Sequence, residues 1–229
     1  MLLAAGRGER MRPLTDHTPK PMLQVAGKPL IVWHIERLAA AGFRELVINH
    51  AHLGQQIVDA LGNGKNMGVH IHYSAENPAL ETAGGIANAL TLLGDDPFAV
   101  INGDIFCEYD LTQLAHHAQT LADSDNKAHL VLVNNPEQHP KGDFGLDHGY
   151  VTEGSPKYTF SGIGIYKPTL FKHIAAGTIA PLAPLLREQI AQKKVSGEHY
   201  TGRWIDVGTP QRLQQLDNLL SATQNTNHV

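Results

Sequence analysis

The chain alternates between short apolar runs and stretches in which apolar residues recur every three or four positions. Residues 1–5 form an apolar run that predicts a short strand entering a long loop over 6–21. Leu30, Ile31, Ile35 and Leu38, with Trp33 among them, predict a core-facing helix over 29–41; Pro29 stands near its start and Gly42 just past its end. The pattern continues as a buried strand at 45–49, a helix at 53–61, a two-faced strand at 69–73 and a loop at 74–82. A helix at 83–93, a strand at 98–101, a helix at 111–122 and a strand at 129–133 follow. Strands separated by helical segments predict βαβ units. The fold class is therefore α/β, Rossmann-like, with a mainly parallel sheet and flanking helices.

The second half is less regular. Asn, Pro, Gly and His concentrate in 134–158, which reads as loop with a weak hairpin. A strand at 159–166, helices near 168–175 and 182–193, strands near 195–199 and 203–207 and an amphipathic helix at 210–220 come next. The polar tail at 221–229 is expected to fray. A single domain is expected, its halves 1–133 and 134–220 packed together.

Composition narrows the class. With 18 Lys and Arg against 22 Asp and Glu the net charge is −4, so the chain has no overall basic footprint for nucleic acid. Cys107 is the sole cysteine. A disulfide framework within the chain is excluded, which fits a reducing compartment, and a cytoplasmic location is expected. No apolar run approaches the ~20 residues of a membrane span, and no basic leader precedes the first apolar run. The 14 histidines include His70 and His72 on one strand face, and His50 with His52. Without cysteines or a helix-spaced His–Glu pattern, packing or surface roles are expected for them and a zinc site is not.

The sharpest local pattern is Leu3-Ala4-Ala5-Gly6-Arg7-Gly8-Glu9-Arg10-Met11-Arg12-Pro13, followed by Pro19-Lys20-Pro21. Glycines directly after a strand let backbone N–H groups approach phosphate oxygens. Arg10 as a fork and Lys20 as a point charge suit a polyphosphate. A dinucleotide fingerprint would need a third glycine where Met11 stands, and the Gly-Lys-Ser/Thr of a P-loop is absent. A surface turn with incidental charges is the plainer alternative.

Gly-x-Gly-x-Arg with Pro-Lys-Pro at this spacing resembles the signature of the sugar-1-phosphate nucleotidyltransferases. Asn102-Gly103-Asp104, Phe160-Ser161-Gly162 and Trp204-Ile205-Asp206-Val207-Gly208-Thr209-Pro210 resemble further motifs of that family in the same order. The resemblance implies a nucleotide-binding half at 1–133 and a sugar-binding half at 134–220. It implies that Arg10 and Lys20 are catalytic and that Asp104 and Asp206 hold Mg²⁺. It assigns the nucleotide to Leu3, Ala4, Ala5, Gly6, Gly8, Glu76, Thr82, Gly84, Gly85 and Asn102, and the sugar to Asp143, Gly145, Ser161, Gly162 and Glu198. Family members usually carry a few residues ahead of the Met-Leu-Leu-Ala-Ala-Gly run, so a shortened first strand is expected.

Three stretches resemble the branch that uses UTP and N-acetylmuramate 1-phosphate in cell-wall sugar recycling: 47–51 with 53–56, 80–86, and Ser196-Gly197-Glu198-His199-Tyr200. The branch that uses GTP and mannose 1-phosphate shares much of the pattern. A sensor that binds a nucleotide sugar without turnover is the non-enzymatic alternative; the intact set Arg10, Lys20, Asp104 and Asp206 argues against it.

Independently of the resemblance, Asp104 ends an apolar strand where an open α/β sheet binds ligands, and Mg²⁺ prefers one or two carboxylates plus phosphates and waters. A turn aspartate at 104 and a helix N-terminal one at 206 are the alternatives. Thr82 as a helix N-cap, with Gly84 and Gly85 for close packing, is the alternative to base contact there. A sugar phosphate with second pKa roughly 6 is already largely a dianion at neutral pH, so no general base is required. A lactyl carboxylate on the sugar would need donors, with Arg203 or a nearby histidine as candidates. The partners expected are UTP and a sugar 1-phosphate, without nucleic acid or membrane, acting on a monomer.

Overall fold

In a computed structural model that describes residues 1–226, the apolar runs become strands and the amphipathic stretches helices. In chain order they are β1 (Leu2–Leu3), β2 (Gln24–Val25), β3 (Lys28–Pro29), α1 (Leu30–Ala40), β4 (Glu45–His50), α2 (Gly54–Leu61), β5 (His70–Ala75), α3 (Glu81–Asn88), α4 (Leu90–Leu93) and β6 (Phe98–Asn102). Then come β7 (Ile105–Cys107), α5 (Gln113–Ala122), β8 (Ala128–Val133), β9 (Phe144–Asp147), β10 (Tyr150–Thr152), β11 (Lys157–Tyr166), α6 (Leu182–Ala191), β12 (Val195–Tyr200), β13 (Trp204–Asp206) and α7 (Pro210–Thr226). Nine strands make one mixed sheet in the order β5-β4-β1-β6-β11-β8-β12-β10-β9. Only β10 and β11 run against the others.

Central strands are apolar on both faces because both faces are covered. In β4, Ile48 packs with Ile31 and Ile35 of α1, Ile57 of α2 and Leu114 of α5, while Val47 packs on the opposite face with Ile86 of α3 and Leu186 of α6. Val100 and Ile101 of β6 divide between the faces in the same way. A third cluster of Val25, Leu30, Phe106, Val207, Leu216 and Leu220 fastens α7 onto two short ribbons, β2–β3 and β7–β13. Trp33 belongs here rather than with the main core: its ring packs edge-on to Phe106 and its N–H donates to the Val25 carbonyl at 3.0 Å.

Several elements differ from the sequence reading. The helix expected over 83–93 starts at Glu81 and breaks at Ala89, whose N–H turns to the Gly85 and Ile86 carbonyls. The helix expected near 168–175 is one 3₁₀ turn, Pro168–Leu170, followed by a separate turn from Phe171 to Ile174. Leu170 and Phe171 are both buried in the core. The final helix runs to Thr226 and absorbs most of the expected tail; 227–229 lie outside the described residues. The ribbon β2–β3 and the strand β7 are too short to show a period. Among the described residues no helix is long and apolar enough to cross a membrane.

Candidate active site

β1 sits between β4 and β6, with Leu3 paired to Asn49 on one side and to Asn102 on the other. The loop after β1 therefore leaves the carboxyl edge of the sheet beside the ends of two parallel neighbours, where open α/β sheets hold ligands. Gly8 takes φ +68°, and a Cβ there would meet Thr15 Cγ2 at 3.0 Å and Lys20 Cβ at 3.2 Å. The Thr15 hydroxyl donates to the Gly8 carbonyl at 2.8 Å, and Met11 is wholly buried. These contacts fold the loop back over Lys20. Gly6, by contrast, faces open space, with nothing within 4 Å of an added Cβ.

The Lys20 ammonium lies 2.7 Å from Asp104 Oδ2, with the lysine only 6% exposed. Asp104 immediately precedes β7, and Asp206 pairs with Ile105 across the β7–β13 ribbon. The Val207 N–H donates to the Asp104 carbonyl at 2.9 Å. Two short strands thus bring the two aspartates side by side. Asp206 accepts from Arg212 of α7 at 2.5 Å. A Cβ on Gly208 would lie 2.9 Å from Asp206 Oδ1, 2.7 Å from Arg212 Nη2 and 3.0 Å from Arg10 Nη2, so these three side chains converge where glycine leaves room. The two hard carboxylates fit Mg²⁺, and the three cations beside them fit phosphate oxygens.

A cavity of about 300 Å³ lies over the end of β1. Leu3, Ala4, Ala5, Gly6, Glu76, Thr82 and Asn102 line it together with Lys20 and Asp104. A smaller space of about 190 Å³ shares Gly6, Lys20 and Asp104 and adds Gly8 and Arg10. Asn49, which the sequence reading did not single out, sets the wall of the cavity. It accepts from the Ala4 N–H at 2.8 Å and donates to Glu76 Oε1 at 2.6 Å, while Glu76 Oε2 accepts from the Leu80 N–H at 2.8 Å. Glu76 therefore orients the wall, its carboxylate already engaged. Arg212 was also missed. Only the end-of-strand position of Asn49 could have signalled a site residue.

Gly84 and Gly85 are packing glycines and line neither space. A Cβ on Gly84 would lie 2.2 Å from the Thr178 carbonyl oxygen, and one on Gly85 would lie 2.5 Å from Glu76 Oε1. Thr82 does not cap α3; Leu80 occupies that position, and no side chain bonds there.

The residues expected at the sugar stand on the strands of the second half, or in the case of Asp143 just before β9, outside the main cavity. Asp143 accepts from the Phe160 N–H at 2.8 Å and faces His139 at 3.1 Å. Ser161 is buried, and its hydroxyl accepts from the Ile163 N–H at 3.1 Å. Gly162, at φ +82°, packs on Asn102, and Gly145 packs on the Gly154 carbonyl. Glu198 turns instead toward α5, where Tyr109, His117 and His129 surround its carboxylate. Burial pushes that carboxyl up, but the hydrogen bonds from His117, His129 and Tyr109 outweigh it and hold the group well below the usual range. Arg203 is bonded to Glu108 at 2.7 Å.

A family model described as nucleotidyl transferase matches residues 1–223, and the chain belongs to that family. It is 56% identical over 228 residues to the N-acetylmuramate alpha-1-phosphate uridylyltransferase of Neisseria meningitidis serogroup B, covering 97% of this chain and 98% of that protein. The Caulobacter vibrioides protein of the same name is 36% identical, over 92% of each chain. The mannose-1-phosphate guanylyltransferase catalytic subunit beta of Drosophila melanogaster is 29% identical, over 92% of this chain and 59% of that protein. A Bacillus anthracis structure described as a glucose-1-phosphate thymidylyltransferase matches the fold with a TM-score of 0.84 at 21% identity, covering 96% of this chain and 94% of that one.

Proposed function

We propose that the chain transfers a uridylyl group from UTP to N-acetylmuramate 1-phosphate, releasing pyrophosphate, in cytoplasmic recycling of cell-wall sugar. The convergence of Arg10, Lys20, Asp104 and Asp206 at the open mouth beside Gly6 supports the reaction class. The 56% identity to the Neisseria protein over nearly the whole of both chains, against 29% to the Drosophila guanylyltransferase subunit, supports this substrate pair over mannose 1-phosphate with GTP.

In this reading the base and ribose occupy the cavity over Leu3 to Gly6, with its wall set by Asn49 and Glu76. The triphosphate runs across Gly6 and Gly8 toward Arg10 and Lys20. Mg²⁺ held by Asp104 and Asp206 supplies charge neutralisation of the phosphates. Lys20 and Arg10 draw two mutually repelling anions together and stabilise the charge that develops on the leaving pyrophosphate. The sugar phosphate attacks the α-phosphorus in line as a dianion, so no side chain needs to accept a proton.

Pyrophosphate release measured across a matrix of nucleoside triphosphates and sugar 1-phosphates tests this. UTP with N-acetylmuramate 1-phosphate is expected to give the highest kcat/KM. A faster reaction of GTP with mannose 1-phosphate would overturn the substrate pair. Nucleotide binding without turnover in any pair would overturn the enzyme reading.

A further inference from the structure

Beneath α5, the segment after β7 and strands β8 and β12 bring together a polar group that the transfer reaction does not use. Glu198 Oε1 lies 2.9 Å from His117 Nε2, 3.4 Å from His129 Nε2 and 2.6 Å from the Tyr109 hydroxyl. One ligand atom from each of His117, His129 and Glu198 lies within 4.8 Å of the others. The side chains of the two histidines are only 18% and 11% exposed. Their rings stack at 4.1 Å and 15°, and both Nε2 atoms approach the same carboxylate oxygen.

The far side of His129 is also held. Ser196 Oγ lies 3.0 Å from Nδ1 and 3.4 Å from the Ala128 carbonyl. Without an ion, Nε2–H faces Glu198; in the other tautomer, with the hydroxyl donating to that carbonyl and Nδ1–H donating to Ser196, the Nε2 lone pair is free for an ion. A metal-binding histidine is fixed in this way, its other N–H held by a neighbouring acceptor. Two imidazole nitrogens with one carboxylate make a donor set that suits zinc and not magnesium. The site is thereby chemically distinct from the all-oxygen pair Asp104 and Asp206.

We propose that His117, His129 and Glu198 form a binding site for a divalent transition metal of the zinc class, with the Tyr109 hydroxyl or a water as fourth ligand. His117, the more exposed of the two histidines, turns out of the stack to let the ion in. The bound ion braces α5 against β8 and β12, and β12 leads directly to the ribbon that carries Asp206.

The test uses the full chain, stripped by a chelator, equilibrated with Zn²⁺ in excess Mg²⁺ and desalted before elemental analysis. The unsubstituted protein is expected to retain zinc, and so is the double variant His70→Ala/His72→Ala. That variant removes the exposed cluster with Glu45, the other place where histidines and a carboxylate meet among the described residues. His117→Gln and His129→Gln are expected to lose the zinc, and Ser196→Ala to bind it about tenfold more weakly. Co²⁺ in place of zinc is expected to give the visible absorption of a four-coordinate site, absent in His117→Gln. Should a histidine variant misfold, the unsubstituted protein still decides. No retained zinc, or a six-coordinate cobalt spectrum, would overturn the proposal, as would zinc retained in His117→Gln and lost from the His70/His72 variant.

Discussion

The Lys20 ammonium is nearly enclosed, with Asp104 beside it and the loop from Gly8 to Thr15 folded over its stem. Lys20→Met keeps the stem and removes the charge. Its kcat/KM, read as pyrophosphate release, is expected to fall about 100- to 1000-fold with the fold intact. A drop of less than threefold would remove Lys20 from the chemistry. His34 makes a second prediction. Burial holds its pKa down to about 4, with the Ile105 backbone hydrogen bond opposing this, and its Nε2 has no hydrogen-bond partner. In the unfolded chain the group titrates near 6.5, so the unfolded state gains a proton first as pH falls. The stability due to neutral His34 is whole above pH 6.5 and is lost between there and about pH 4. The loss is roughly 3 kcal/mol. Denaturant melts at pH 7 and pH 5 should show the decline, and His34→Gln should flatten it. The cations were legible in the sequence because Arg10 and Lys20 sit within one glycine loop. Asn49 was not, since its role is to join Ala4 to Glu76 across strands that only folding makes neighbours.

Glycines that look alike in the sequence do different work in their elements. At Gly6 a side chain would meet nothing, whereas at Gly84 it would meet the Thr178 carbonyl oxygen. Gly6→Ala is therefore expected to leave the melting temperature nearly unchanged but to raise the KM for nucleotide, because in the proposed binding mode the triphosphate crosses that open space. Gly84→Ala is expected to cost about 2 kcal/mol in denaturant melts, as α3 is forced from the 178–180 segment. An equal loss of stability in both variants would contradict this division. The α/β alternation of elements was readable because each long segment carries its own period. The strand near 203–207 was readable and is β13, but its partner β7 and the ribbon β2–β3 were not, being two or three residues per strand. Nor was the cluster of His117, His129 and Glu198, whose positions show no spacing that a linear motif could reveal.

Across the whole molecule, the charged mouth draws on both halves of the chain, since Gly208 stands with Arg10 and Asp104, and Asp206 lies beside Gly208. Nucleotide should therefore stabilise the protein as one unit. UTP with Mg²⁺ at a hundred times its Kd is expected to raise unfolding free energy by about 2.7 kcal/mol, in a single transition. GTP at the same concentration should give a smaller shift. Two transitions, only one of them moved by UTP, would contradict that unity. The division at residue 133, sensible from the change in sequence texture, does not divide the sheet. β8, from the first half, has β11 on one side and β12 on the other, and β11 in turn lies between β8 and β6. A fragment ending at Val133 would carry a strand of six buried residues with both edges bare. Such a fragment is a nucleus for clumping rather than a smaller nucleotide binder. Splitting this protein into reporter halves would succeed only where the two pieces are made together and zip up as they meet.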